Sequence, residues 1–214
     1  MSVSQQNREA FARAIDATDD LMARFDAYAA LLVKWQRKIN LVGARTLDDI
    51  WRRHFLDSAQ IWPHLPPTAK TLADIGSGAG FPGLVLAILA AARGGPAITL
   101  IESDQRKAVF LREANRITEA GADIQNLRLT GRDEISADVV TARACAPLHR
   151  LLPLANGIVK SRGTALFLKG AGWPDELTAA GKAWTMKSAE IPSLTDTSGV
   201  ILKLEGLTEI ERHD

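Results

Sequence analysis

Thr71-Leu72-Ala73-Asp74-Ile75-Gly76-Ser77-Gly78-Ala79-Gly80-Phe81-Pro82-Gly83-Leu84-Val85-Leu86-Ala87-Ile88-Leu89 is the stretch that decides the fold. An apolar run with strand character enters a glycine-rich turn, and an apolar helical run leaves it. A backbone that passes sharply from strand to helix needs dihedrals that a Cβ disfavours, and glycine also lets a ligand approach the main chain. Turns of this kind bind adenosine-containing molecules.

Two frames fit the turn. Gly78-Ala79-Gly80-Phe81-Pro82-Gly83 matches the dinucleotide pattern GxGxxG. Asp74-Ile75-Gly76-Ser77-Gly78-Ala79-Gly80 instead sets the first glycine directly after the strand, with an acid two residues earlier. That is the frame of S-adenosylmethionine sites. A sulfonium cation with an amino-acid end is helped by a carboxylate beside the loop, whereas a pyrophosphate is repelled by one. Pro82 suits a first helical position and leaves neighbouring amides for the donor's carboxylate. Ala97-Ile98-Thr99-Leu100-Ile101 reads as a second buried strand, ending at Glu102, 26 residues after Gly76. An acid there can accept both ribose hydroxyls; the alternative is a solvated acid at a strand end.

Length and composition set the frame around this motif. At 214 residues the chain holds one sizeable core plus an extension, with 46% hydrophobic and 24% charged residues, as in an ordinary soluble globule. No apolar run reaches membrane-spanning length, and the N-terminus lacks a signal sequence, so a cytoplasmic monomer is expected. Cys145 is the single cysteine and the four histidines are dispersed, so neither a disulfide framework nor a metal site is expected. Net charge is only +1, but it is uneven. Lys34, Arg37, Lys38, Arg45, Arg52 and Arg53 stand against Asp48 and Asp49, a local excess of four positive charges. Such a run either contacts phosphates or is a solvated helix face.

Apolar residues at a period near 3.6 from Phe11 to Trp35 predict an amphipathic helix or helix pair. A further helical segment runs from Leu47 to Ile61, and Trp62-Pro63-His64-Leu65-Pro66-Pro67 joins a helical extension (1–66) to an α/β core (67–214). In the core, Asp104 caps a helix that stops at Gly121, Ile124 to Thr130 is strand-like, and Ala137 to Thr141 is a short buried strand leading into Arg143. Pro147 opens a helix expected to end at Gly163, Thr164 to Leu168 is a strand, and a helix spans Pro174 to Trp184. Met186 to Leu194 and Gly199 to Leu207 then form a hairpin. A parallel α/β sheet closed by an antiparallel hairpin matches a class I, Rossmann-like methyltransferase better than a dehydrogenase.

Taken together, Ile39-Asn40-Leu41-Val42, Arg53-His54-Phe55-Leu56-Asp57-Ser58, Asp74 to Gly83, Glu102-Ser103-Asp104-Gln105-Arg106-Lys107, Gly131-Arg132-Asp133-Glu134, Ala142-Arg143-Ala144 and Leu168-Lys169-Gly170 resemble one family. It is the bacterial small-subunit ribosomal RNA guanine-N7 methyltransferase family, RsmG or GidB. The resemblance runs from about Leu31 to Lys203. It implies a mostly parallel seven-stranded sheet and transfer of a methyl group from S-adenosylmethionine to N7 of a guanine in 16S RNA, free or in the 30S subunit. The runner-up is methylation of another RNA base or of a small molecule. The implied donor site comprises Asp74, Gly76, Ser77, Gly78, Gly80 and Phe81, with Glu102 at the ribose, Asp133 and Glu134 near the adenine, and Arg143 beside the methionine end. Arg143 could instead pair with Asp74 or Glu102. Lys34, Arg37, Lys38, Arg45, Arg52, Arg53 and Lys169 are the candidate RNA contacts, and Arg143 and Lys169 the candidates for positioning the acceptor. The family has serine before the arginine and phenylalanine after the alanine; Ala142 and Cys145 stand there here.

Methylation at N7 needs no general base, because that nitrogen already offers a lone pair, and none is evident. Cys145 is a rival nucleophile of the cytosine-methylase kind, though a lone cysteine more often packs. His54 and Asp57 are expected to cap or cross-brace the helical extension rather than to do chemistry.

Overall fold

The computed structural model describes residues 3–211, without the side chains of Val3, Ala44 and Arg45. Two helices, α1 (Val3–Ala14) and α2 (Asp19–Gln36), open the chain, and Thr18 caps α2 by accepting from the Leu21 amide at 3.2 Å. The segment expected as one helix over 47–61 is a series of tighter and wider turns. It comprises a 3-10 turn Ala44–Asp49, a π-helical stretch Trp51–Leu56, a single turn α3 (Asp57–Ala59) and a second 3-10 turn Trp62–His64. Among the described residues no helix is long and apolar enough to cross a membrane.

Strands and helices then alternate: β1 (Thr71–Ile75), α4 (Gly83–Arg93), β2 (Ala97–Ile101), α5 (Gln105–Thr118), β3 (Asp123–Gln125), β4 (Ala137–Arg143), α6 (Leu148–Ile158), β5 (Val159–Lys169), α7 (Trp173–Ala180), β6 (Trp184–Pro192) and β7 (Val200–Glu209). The sheet has seven strands in the order β3-β2-β1-β4-β5-β7-β6. All neighbours are parallel except at β7, which runs antiparallel to both β5 and β6. The order reverses beside β1, which places a crevice at the carboxyl ends of β1 and β4, where open α/β sheets bind ligands.

The two faces of the sheet follow the strand period of two. Leu72, Ile98, Leu100, Val139, Leu166 and Leu168 face α2, α4 and α5, while Ala73, Ile75, Val140, Ala165, Phe167 and Leu202 face α6 and α7. The N-terminal helices do not form a separate core. Phe11, Phe25, Tyr28 and Phe55 are fully buried in one cluster with Phe81, Leu84 and Phe110. Phe11 meets Phe25 edge-on at 4.9 Å, and Tyr28 meets Phe55 at 5.2 Å. Such pairs add about 0.5–1.5 kcal/mol each beyond their area.

Three further expectations change. The helix expected to reach Gly163 ends at Ile158, and β5 begins at once with Val159 pairing to Ala137. A Cβ on Gly163 would sit 2.8 Å from the Asp138 carbonyl, so this glycine marks a close approach of β5 to β4 rather than a helix stop. The strand expected over 124–130 shrinks to Asp123–Gln125, which pairs only with β2, and at the far end of the expected stretch Asp133 holds Thr130 and Gly131 in a turn. Pro82 precedes α4 at its N-cap, and the helix itself starts at Gly83.

Candidate active site

The loop after β1 has Gly76, Gly78 and Gly80 at φ of +65°, +57° and +92°, a region that side chains rarely tolerate. Its shape is fixed from below. The Ser77 amide donates to the Ile101 carbonyl at 3.0 Å, the Ser77 hydroxyl to the Asp74 carbonyl at 3.0 Å, and the Gly80 amide to the Ser77 carbonyl at 2.6 Å. The Asp74 carboxylate is fully buried, accepting from the Thr141 hydroxyl at 2.7 Å and the Gly83 amide at 3.2 Å. Burial pushes it up to about 6. Asp74 therefore ties β1, β4 and the start of α4 together, with its carboxylate turned into the fold.

Glu102 is the acid that meets the loop. It is 7% exposed; Oε2 accepts from the Gly78 amide at 2.8 Å and Oε1 from the Asp104 amide at 2.7 Å. It is not a solvated acid at a strand end. Each carboxylate oxygen carries about two lone-pair sites, so both keep capacity for a further donor such as a ribose hydroxyl.

Tyr28, the only tyrosine of the chain, reaches the loop from α2. Its hydroxyl donates to the Ala79 carbonyl and its ring stacks on Phe81 at 5.5 Å and 19°. Burial holds its phenol well above the usual range, so it stays a donor. Cys145 covers the other side: a Cβ on Gly76 would collide with its sulfur. Cys145 is exposed at the cleft wall, yet partial desolvation of its thiol, then Asp74 and Glu102, push it up, and a thiol held protonated is a poor nucleophile.

Arg143, at the end of β4, gathers the mouth of the cleft. Nη1 donates to Asp57 Oδ2 and to the Arg53 carbonyl, both at 3.0 Å, and Nη2 donates to His54 Nδ1 at 2.7 Å. The guanidinium lies 4.9 Å from the centroid of Phe81, on which His54 also stacks at 4.9 Å and 22°. Because arginine only donates, His54 Nδ1 accepts and the proton sits on Nε2, 2.7 Å from the Thr46 hydroxyl, which donates in turn to the Gly43 carbonyl at 2.6 Å. Burial first, then the charges of Arg143 and Arg53, lower His54 to about 3. Asp57 is the other half of the brace. Its Oδ1 accepts from Thr195 Oγ1, at the hairpin tip, and from Gln60 Nε2 at 2.9 Å, while the Leu194 amide donates to Gln60 Oε1 at 2.7 Å. Arg143 thus pairs with neither Asp74 nor Glu102 but with Asp57, and through it binds the N-terminal turns to the β6–β7 loop.

A cleft of about 780 Å³ opens beside this brace, with Arg53, His54, Arg143, Cys145, Lys169 and Thr195 in its wall. Lys169 is in that wall and not on the exposed basic face. Its Nζ lies 2.6 Å from Glu176 Oε2 and donates to the Ala146 carbonyl at 3.1 Å, and its side chain is 9% exposed. The pairing spans β5 to α7, so it holds the 144–148 loop. Lys34, Arg37, Lys38, Arg52 and Arg53 are exposed, whereas the side chain of Arg45 lies outside the described residues. In the loop between β3 and β4, Asp133 accepts from the Thr130 and Gly131 amides at 2.8 and 3.1 Å, which holds its carboxyl below the usual range. Glu134 beside it is exposed.

The family model of GidB, described as rRNA small subunit methyltransferase G, matches residues 21–203. The chain belongs to the GidB family. Two of its relatives, both named ribosomal RNA small subunit methyltransferase G, show how close the likeness is. The one from Paramagnetospirillum magneticum is 50% identical over 185 residues, covering 86% of this chain and 88% of that protein. The one from Rhodospirillum rubrum is 50% identical over 196 residues, 92% of this chain and 96% of that protein. Among solved structures, a ribosomal protein L11 methylase from Lactobacillus delbrueckii subsp. bulgaricus superposes with a TM-score of 0.56 at 17% identity, over 77% of this chain and 80% of the other. A SAM-dependent O-methyltransferase from Thermotoga maritima does so with a TM-score of 0.54 at 12% identity, over 86% and 72%. These likenesses show a class I methyltransferase fold, and membership of the GidB family makes the protein a small-subunit rRNA methyltransferase.

Tyr28, Thr141, Glu176 and the hairpin residue Thr195 escaped the sequence reading. Only Tyr28 left a signal, as a hydroxyl inside an apolar helical stripe.

Proposed function

We propose that the protein transfers a methyl group from S-adenosylmethionine to N7 of a guanine in 16S ribosomal RNA, acting in the cytoplasm as a monomer. The observation that carries this is Glu102 joined to the Gly78 amide at 2.8 Å across a loop of three left-handed glycines, in a chain of the GidB family. A Cβ at Gly76 would strike the Cys145 sulfur and one at Gly80 the Tyr28 hydroxyl and Leu84, so only glycine lets the loop fold this tightly. The residue beside Glu102, Gly78, presents bare main chain with no side chain against it, which fits a nucleoside.

When bound, the donor supplies a methyl group made electrophilic by its sulfonium. Glu102 accepts from the ribose, the Asp133–Glu134 loop borders the adenine, and Arg143 serves the methionine end. Asp57, the Arg53 carbonyl and His54 occupy three of the five N–H groups of Arg143, which leaves Nε–H and one Nη2–H as a fork for a carboxylate. The transfer moves one positive charge from sulfur to the guanine ring and releases no proton at N7, so no group in the cleft has to act as a base. The contribution left to the protein is alignment of the lone pair with the methyl group, worth roughly 7 to 11 kcal/mol at best. A His54 lowered to about 3, its Nδ1 lone pair taken by Arg143, is a weak base, and with a protonated Cys145 it agrees with a site that positions and does not abstract.

The test is transfer of labelled methyl from S-adenosylmethionine to small ribosomal subunits taken from cells that lack the protein, followed by nucleoside analysis. Label in 7-methylguanosine is the expected result. Label in another nucleoside, or in small molecules only, would overturn the proposal.

A further inference from the structure

The basic run between Lys34 and Arg53 is split by the fold into two clusters on opposite sides of the donor loop. Arg52 and Arg53 lie on the hairpin side, close enough to Asp196 that, after the two Ser198 hydrogen bonds, their charges add to the lowering of its carboxyl. Arg37 and Lys38 lie instead where the end of α2 meets the start of α5. There they line a groove of about 440 Å³ together with Arg106 and Lys107. Asp104 is the one carboxylate in its wall. That carboxylate is already engaged, since Oδ1 accepts from the Arg106 and Lys107 amides at 2.8 and 3.2 Å and Oδ2 lies 3.5 Å from the Arg106 guanidinium. Four cations against one committed carboxylate leave the groove strongly positive.

The groove is also built rigidly. Gln36 locks the turn that carries Arg37 and Lys38: its Oε1 accepts from the Leu41 and Val42 amides at 2.9 and 3.0 Å, and its Nε2 donates to the Val42 carbonyl at 2.8 Å. Trp35 fastens α2 to α5 by donating to Glu113 at 2.9 Å and by packing on Phe110 at 5.8 Å. A solvated helix face needs no such clamp. The groove abuts the donor site as well, because the Asp104 amide in its wall donates to Glu102 at 2.7 Å.

We propose that Arg37, Lys38, Arg106 and Lys107 form a track for the phosphodiester backbone of the RNA strand on one side of the target guanine, with Arg52 and Arg53 holding the strand on the other. This rests on the RNA-methylating function proposed above. The sheet order puts β2, which leads into the groove, on one side of β1 and the β6–β7 hairpin on the other. β2 and β7 are four places apart in that order, or about 19 Å at the usual strand spacing. The strand therefore crosses the carboxyl ends of the sheet and passes over the cleft at Arg143, where one base leaves the stack. Single-stranded or loop RNA suits such a path, since its bases can be splayed while its phosphates follow the cations.

The test compares the intact protein with the double variants Arg37→Ala/Lys38→Ala and Arg106→Ala/Lys107→Ala. Three measurements are made: affinity for small-subunit RNA by fluorescence anisotropy across a salt series, KM for RNA in methyl transfer, and affinity for S-adenosylhomocysteine by calorimetry. Each variant should reduce the slope of log affinity against log salt by about 1.4, at about 0.7 per phosphate contact of a single strand, and raise KM about tenfold or more. Affinity for S-adenosylhomocysteine should stay within about twofold, which also shows that the variants fold. An unchanged slope and KM would overturn the track, and so would loss of S-adenosylhomocysteine binding in step with RNA binding. Failure of the unaltered protein to methylate RNA would instead count against the function itself.

Discussion

Arg143 Nη2 and His54 Nδ1 are 2.7 Å apart, and this contact fixes which nitrogen of the imidazole carries the proton. It also fixes the charge, because a protonated His54 would turn an N–H toward a guanidinium. With burial as the larger cause, His54 is lowered to about 3.

A pH dependence follows. An unfolded histidine titrates near 6.5, so between about 3 and 6.5 the unfolded chain takes up a proton that the folded chain refuses. The stability tied to neutral His54 is complete above pH 6.5 and is lost as pH falls through that window, by up to about 1.4 kcal/mol per pH unit. Urea midpoints of the intact protein should drop more between pH 7 and 5 than those of His54→Gln. Nitrogen NMR should show His54 as the Nε2–H tautomer down to about pH 4. A titration of His54 near 6.5, or parallel pH curves for the two proteins, would contradict this assignment.

Asp57 joins three parts of the chain that are far apart in sequence, with Arg143 at 3.0 Å, Gln60 at 2.9 Å and Thr195 all on one carboxylate. The ion pair is mostly shielded, its side chains 16% and 17% exposed. Asp57→Ala leaves Arg143 without its counter-charge, at a cost of about 2 kcal/mol once partial solvent screening is allowed for. For a chain of this size that lowers Tm by roughly 4–8 °C. RNA methylation should fall more than binding of S-adenosylhomocysteine, and Asp57→Asn should recover part of the stability because it keeps an acceptor. Thermal scans and paired calorimetry check both.

Gly76 is at φ +65° with the Cys145 sulfur where a Cβ would go. Gly76→Ala meets two obstacles, the left-handed backbone, worth about 1–2 kcal/mol, and the collision. Adding Cys145→Ala takes away the sulfur but leaves a Cβ at 3.1 Å, so it relieves only the second, and that incompletely. Affinity for S-adenosylhomocysteine should fall at least tenfold in Gly76→Ala and recover in part, not fully, in the double variant. Equal losses in the two would show that Cys145 does not press on the loop.

The local parts of this structure were legible in the sequence, and the long-range parts were not. β1, the glycine loop and α4 follow from residues adjacent in the chain, and Glu102 from its place at the end of the next strand. Asp57 read as a cap or brace, but its partner lies 86 positions away at Arg143, and no periodicity reports which arginine folds back on which acid. Lys169 read as a candidate RNA contact and acceptor-positioning residue because Glu176 is invisible to a strand pattern; the two meet only when α7 packs beside the end of β5. Asp74 read as a carboxylate facing the donor, yet Thr141 and the Gly83 amide claim it first. In each case a polar side chain was placed correctly on its element and its direction was set by a neighbour from another one.

Quantitative mass spectrometry of 7-methylguanosine in 16S RNA, in cells without the protein and in cells resupplied with either the intact chain or Glu102→Gln, tests the central claim most directly. Glu102→Gln replaces one acceptor oxygen by an amide donor facing the Gly78 or Asp104 amide, so it should cripple the donor site while leaving the sheet intact. One 7-methylguanosine should vanish without the protein, return with the intact chain, and return weakly or not at all with Glu102→Gln. An unchanged level of 7-methylguanosine in 16S RNA across all these cells would contradict the account.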